Sequence, residues 1–180
     1  DKTAQEIDCP AEKYIELLNK YGIFLGDYAY YKESIEVNLR LIQLCEETNG
    51  QNDITATSYN NIGNVYRKLG DYDKALEYYF KALKIRKEVL GENHSDTAGS
   101  YNNIGIVYTD LGDYNKSLEY LFKALEIKKD VLGENHPDTA ISYNNIGIVY
   151  SNLGDYDKAL EYYNKALEIK KAVLGENNPD

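Results

Sequence analysis

The chain repeats itself with a period of 42 residues. Residues 55–96 read TATSYNNIGNVYRKLGDYDKALEYYFKALKIRKEVLGENHSD. Residues 97–138 return as TAGSYNNIGIVYTDLGDYNKSLEYLFKALEIKKDVLGENHPD, and residues 139–180 as TAISYNNIGIVYSNLGDYDKALEYYNKALEIKKAVLGENNPD. A period of this size restricts the fold: each repeat is one small supersecondary unit, and stacked neighbours bury one another's apolar faces. The third unit stops where a further one would begin, so the expectation is an array truncated on its C-terminal side.

Within a unit the apolar spacing is helical twice over. Tyr59, Ile62, Gly63 and Tyr66 fall at i, i+3, i+4 and i+7, one stripe of period 3.6. Leu69-Gly70-Asp71 ends that helix, with Gly as the left-handed stop and Asp71 as the cap of the next. Ala75, Leu76, Tyr79, Ala82, Leu83 and Val89 form the second stripe, closed by Gly91. Nothing reads as a strand. The pattern predicts helices at residues 11–25, 28–48, 55–69, 72–89, 97–111, 114–131, 139–153 and 156–173. Gly63, Ala75 and Ala82 are small where two helices would cross closely.

These residues carry a resemblance. Tyr59, Ile62, Gly63, Tyr66, Ala75, Tyr79 and Ala82 match the signature of the tetratricopeptide repeat, and the 42-residue unit resembles its kinesin-light-chain variety. The resemblance implies an all-α, right-handed α-α superhelical solenoid of antiparallel helix pairs. It divides the chain into a divergent N-terminal capping repeat at 1–54 and units at 55–96, 97–138 and 139–180. The divergent segment aligns at an offset of 41: Gly22 on Gly63, Asn19 on Asn60, Tyr31 on Tyr72, with Ser34 and Leu41 in place of Ala75 and Ala82.

Composition excludes several functions. The net charge is −10, opposite to the basic stripe that a nucleic-acid binder or an anionic membrane surface asks for. No apolar run approaches a membrane span. The 19 Tyr against 3 Phe point to a motif that requires Tyr. Cys9 and Cys45 are too few for a disulfide framework, so a reducing compartment is expected, and with the resemblance the expectation is a cytoplasmic one. Enzyme constellations are missing: no catalytic set, no phosphate or dinucleotide loop, no cofactor site. His94 and His136 lie one period apart in turns without companion ligands, so no metal is expected.

The remaining chemistry lies on the first helix of each unit, opposite its core stripe. At about 100° per residue, Asn60, Asn61, Asn64, Arg67 and Lys68 share a side; the equivalents are Asn102, Asn103 and Ile106, then Asn144, Asn145 and Ile148, with Lys20 in the divergent repeat. The resemblance implies that this side lines a concave groove holding a short extended peptide of a partner protein. Carboxamides both donate and accept, and the resemblance gives that clamping role to Asn61, Asn103 and Asn145; the alternative is that the Asn pair ties neighbouring units together. The functional expectation is therefore a non-enzymatic interaction module. The alternatives are a structural or self-assembling array, or the sensor arm of a larger signalling protein. Leu160, Leu167, Ile169, Val173 and Leu174 keep the internal pattern on the last helix, which predicts self-association through that end.

Overall fold

A computed structural model describes residues 10–48 and 52–174, with side chains at 14–47 and 52–173. Its described residues form eight helices and no strand: α1 Pro10–Asp27, α2 Tyr31–Thr48, α3 Asp53–Lys68, α4 Tyr72–Val89, α5 Ser95–Asp110, α6 Tyr114–Leu132, α7 Pro137–Asn152 and α8 Tyr156–Leu174. They group into two compact units, one up to Tyr78 and one from Tyr79 onward.

In the first unit α1 packs on α2 and α2 on α3. The turn after α3 is made by Gly70 at φ 77°, whose N–H donates to Arg67 O while that of Asp71 reaches Tyr66 O. Asp71 then caps α4 by accepting from the Lys74 N–H at 3.2 Å. The α1–α2 turn repeats the second of these bonds, the Tyr30 N–H donating to Leu25 O at 2.9 Å, but its left-handed residue is Ala29 at φ 65°. The α1–α2 crossing is close and polar: Ser34 Oγ donates to Gly22 O at 2.8 Å, and a methyl on Gly22 would sit 2.7 Å from Asn38 Nδ2.

In the second unit α5 packs on α6, α6 on α7 and α7 on α8. Leu121 and Leu125 of α6, Tyr143, Ile146 and Val149 of α7, and Ala166 and Ile169 of α8 form one continuous core. A methyl on Gly105 would lie 2.7 Å from Leu121, and one on Gly147 2.7 Å from the Tyr163 ring, so glycine is what lets each first helix approach its partner.

The tyrosines have repeated tasks. Tyr66 stacks on Tyr78 with ring centroids 5.5 Å apart, and the pair recurs as Tyr108–Tyr120 and Tyr150–Tyr162. Lys74, Lys116 and Lys158 lie over the first ring of each pair. Tyr101 and Tyr143 donate their hydroxyls to Glu92 and Glu134, a bond that Phe cannot make.

The regular first helices begin two residues earlier than the spacing predicts. Asn52 Oδ1 accepts from the Thr55 N–H, and the Nδ1 atoms of His94 and His136 accept from the N–H groups of Asp96 and Asp138. The two histidines are helix caps. Cys45 is buried and joins no disulfide among the described residues; Cys9 lies outside the described residues.

Candidate functional site

Four of the residues singled out on the third helix meet at one cleft in the first unit. Asn61, Asn64, Arg67 and Lys68 of α3 line it together with Gly22, Gly26 and Asp27 of α1 and Ser34 of α2, around a volume of about 140 Å³. The cleft floor is open because Gly22 and Gly26 carry no side chain; a methyl on Gly26 would stand 3.1 Å from Ser34 Oγ. Lys68 crosses the rim. Its Nζ donates to Gly26 O at 3.0 Å and pairs with Asp27 at 3.1 Å, a cation placed at the C-terminal end of α1 where carbonyls accumulate negative potential. Lys20, also singled out, is exposed and paired with Glu16 at 2.6 Å on α1, and it does not line the cleft.

Behind the cleft lies a carboxamide network. Asn61 Nδ2 donates to Asn38 Oδ1 at 3.2 Å and to Asn19 Oδ1 at 3.4 Å, while Asn38 Nδ2 donates to Ser34 O at 2.8 Å. Asn38 is fully buried. Its signal in the sequence was a polar residue in an apolar register: at the offset of 41 it stands where the next unit has Tyr79. Asn19 is the partner that aligns on Asn60.

The second unit repeats one rung of this network. Asn145 Nδ2 donates to Asn102 Oδ1 at 2.8 Å, and Asn102 retains 8% of its surface. The first Asn of one pair thus accepts from the second Asn of the pair one period on, as Asn19 accepts from Asn61. A helical wheel drawn on a single helix cannot show this, because the partner is the next unit's helix. The side opposite the core stripe is therefore unevenly open: Asn60, Asn103, Asn144 and Ile106 are half-buried, and Ile141 and Ile148 are exposed. Among the described residues no group of His, Cys, Asp and Glu is arranged to hold a metal ion, and no helix is long and apolar enough to cross a membrane.

The sequence profile described as Tetratricopeptide repeat matches residues 15–88, 54–130 and 96–172, the divergent first pair included. The chain belongs to the tetratricopeptide repeat family. Solved structures agree on the fold, a helical solenoid. BtubC (BKLC) from P. vanneervenii is 24% identical with a TM-score of 0.80, over 98% of this chain and 71% of that one. A kinesin light chain from Podosopora anserina with nearly identical TPR-like repeats is 17% identical with a TM-score of 0.75, over 96% of this chain and 82% of that one. A Rap protein complexed with Competence and Sporulation Factor is 20% identical with a TM-score of 0.78, over 91% of this chain and 44% of that one. No curated protein matches.

Proposed function

We propose that this tetratricopeptide repeat chain is a non-enzymatic interaction module that holds a short, extended peptide of a partner protein. The observation that carries the reading is the cleft in the first unit, where Asn61, Asn64, Arg67 and Lys68 converge over bare glycine backbone. Asn64 meets peptide backbone, and Arg67 meets an acidic side chain or terminus. In the second unit Asn103, Asn144 and Asn145 offer amide contacts, and the exposed Ile148 with Ile106 offers apolar ones. The chemistry of the first unit suits an acidic stretch of peptide, and that of the second unit suits an apolar one. The Rap neighbour, complexed with a named factor, lends the fold a precedent for ligand capture. The buried thiol of Cys45 suits the reducing, cytoplasmic setting assigned to the module.

A peptide-array screen of wild type beside the Asn64→Ala, Arg67→Glu variant tests this. Bound acidic peptides lose about tenfold or more in affinity, at about 1 kcal/mol per net hydrogen bond and more for a charged one. Equal binding by a variant of unchanged helicity contradicts the reading.

A second reading, self-association through α8, is favoured by one contrast. Leu160 and Leu167 are exposed, whereas Leu118 and Leu125 at the same register of α6 are half-buried and buried; Val173 is exposed and Ile169 is buried in the core. The side chain of Leu174 lies outside the described residues. Sedimentation of the Leu160→Lys, Leu167→Lys variant tests it: an association that survives the double change is not made by α8.

A further inference from the structure

Every regular first helix carries the same four residues on one flank. They are Thr55, Ser58, Ile62 and Val65 on α3, Thr97, Ser100, Ile104 and Val107 on α5, and Thr139, Ser142, Ile146 and Val149 on α7. All twelve are buried. This flank is the one that docks on what precedes: Ser100 Oγ accepts from Arg86 of α4 at 2.9 Å, and Thr139 Oγ1 donates to Gly133 O in the turn before α7. At the same register α1 carries Tyr14, Leu17, Tyr21 and Phe24, which are 54%, 65%, 50% and 51% exposed. Tyr28 continues the row, its ring 4.4 Å from that of Phe24.

The docking flank of α1 has thus been rebuilt as well as uncovered. Tyr, Leu, Tyr and Phe replace Thr, Ser, Ile and Val. A second helix of the internal kind packs against small and β-branched residues, and these four side chains would overfill that interface. End-to-end stacking of one chain's α1 on another's α8 in the internal register is excluded by bulk. The spacing of the row, 14, 17, 21 and 24 on α1 with 28 in the turn that follows, is instead that of the 3-4 seam by which two helices pair. Glu16 and Lys20 beside it neutralise one another. The five half-exposed side chains offer on the order of 500 Å² per copy, taking 150–250 Å² for each fully buried ring. Doubled, that is about 1,000 Å², the size at which a specific interface begins. The row is also rich in the aromatic residues that anchor interfaces.

We propose that α1 is a dimerisation helix, its aromatic row packing on the same row of a second copy about a two-fold axis near Tyr21. Such a contact is isologous, so assembly closes at two copies and forms no filament. It stands on different residues from the peptide reading and from association through α8.

The test is sedimentation velocity of the full chain from micromolar to near-millimolar concentration, with the Leu17→Lys, Tyr21→Lys variant and the Leu160→Lys, Leu167→Lys variant alongside. Tyr21 is the centre of the row, so parallel and antiparallel pairing both bring it to its own copy. Tyr21→Cys in a Cys9→Ser background therefore reports the contact without adding charge. The expected result is a dimer that the α1 variant weakens by about tenfold or more at unchanged helicity, that the α8 variant leaves intact, and that Tyr21→Cys locks covalently under oxidation. A wild type that stays monomeric at the highest concentration overturns the proposal. So does a dimer lost only in the α8 variant, an assembly that grows beyond two copies, or a Tyr21→Cys chain that cross-links no faster than Glu36→Cys in the same background.

Discussion

At the closest approach of α5 and α6, Gly105 faces Leu121; at the corresponding place in α1 and α2, Gly22 faces Asn38. Both central side chains are fully buried, and both crossings depend on glycine. In the regular pair the space is filled by hydrocarbon, whose burial stabilises directly. In the first pair it is filled by a carboxamide, which repays its burial only through the bonds to Ser34 O and from Asn61. The difference shows a division of labour. The regular pairs concentrate packing, whereas the divergent pair gives up part of that packing for a polar network whose outer edge is the cleft over Gly22 and Gly26.

The largest expected effect lies at the position that the two regions fill differently. Leu121→Ala leaves a cavity in a dry core and lowers stability by about 2–5 kcal/mol. Asn38→Ala removes the buried acceptor of Asn61 Nδ2, which keeps the longer bond to Asn19, and costs about 1–3 kcal/mol. Denaturant unfolding measures both, and an Asn38→Ala cost at or above that of Leu121→Ala breaks the comparison.

Next comes the glycine at the crossing. Gly105→Ala pushes a methyl into buried Leu121 with the Ser117 carbonyl 3.2 Å away, for about 1–3 kcal/mol. Gly147→Ala costs less, because its neighbour Tyr163 is half-buried and can yield. Equal melting temperatures for the two variants contradict this ordering.

The turns give a smaller effect of opposite sign. Ala29 occupies a left-handed conformation that the regular turns assign to Gly70, Gly112 and Gly154. Ala29→Gly stabilises by up to about 1 kcal/mol, the left-handed penalty of an L-residue less the added entropy of the unfolded glycine. Gly112→Ala destabilises by a similar amount, and thermal melts resolve both.

The smallest effect is the dependence on acid. Asp71, Asp113 and Asp155 are held below the usual carboxylate range by hydrogen bonds from Lys74, Lys116 and Lys158. A carboxyl group lowered by folding contributes its stability above its unfolded value and loses it as pH falls through the folded one. Their contribution to the melting temperature is therefore constant down to about pH 5 and declines below about pH 4. The decline is slight, because all three pairs are open to solvent.

Helix positions were readable because Gly70-Asp71 and its copies carry stop and start in adjacent residues. The starts of α5 and α7 were set two residues late because His is an uncommon cap, whereas its Nδ1 lone pair serves here as well as an Asn oxygen. The cleft was half readable. Asn61, Asn64, Arg67 and Lys68 follow from one helical wheel, but Gly26, Asp27 and Ser34 belong to helices whose register only the fold supplies. The Asn102–Asn145 bond, between residues 43 positions apart, is of the kind raised as the alternative for the Asn pair, but its partner atoms follow only from the fold.

The most direct measurement is a calorimetric titration of an acidic peptide from the array into wild type and into the Arg67→Glu, Lys68→Glu variant at two salt concentrations. The account predicts that wild type binds with an affinity that falls as salt rises, and that the variant binds at least about tenfold more weakly with little salt dependence. Unchanged affinity and unchanged salt dependence in a folded variant would contradict the assignment of the cleft between α1 and α3 as the ligand site.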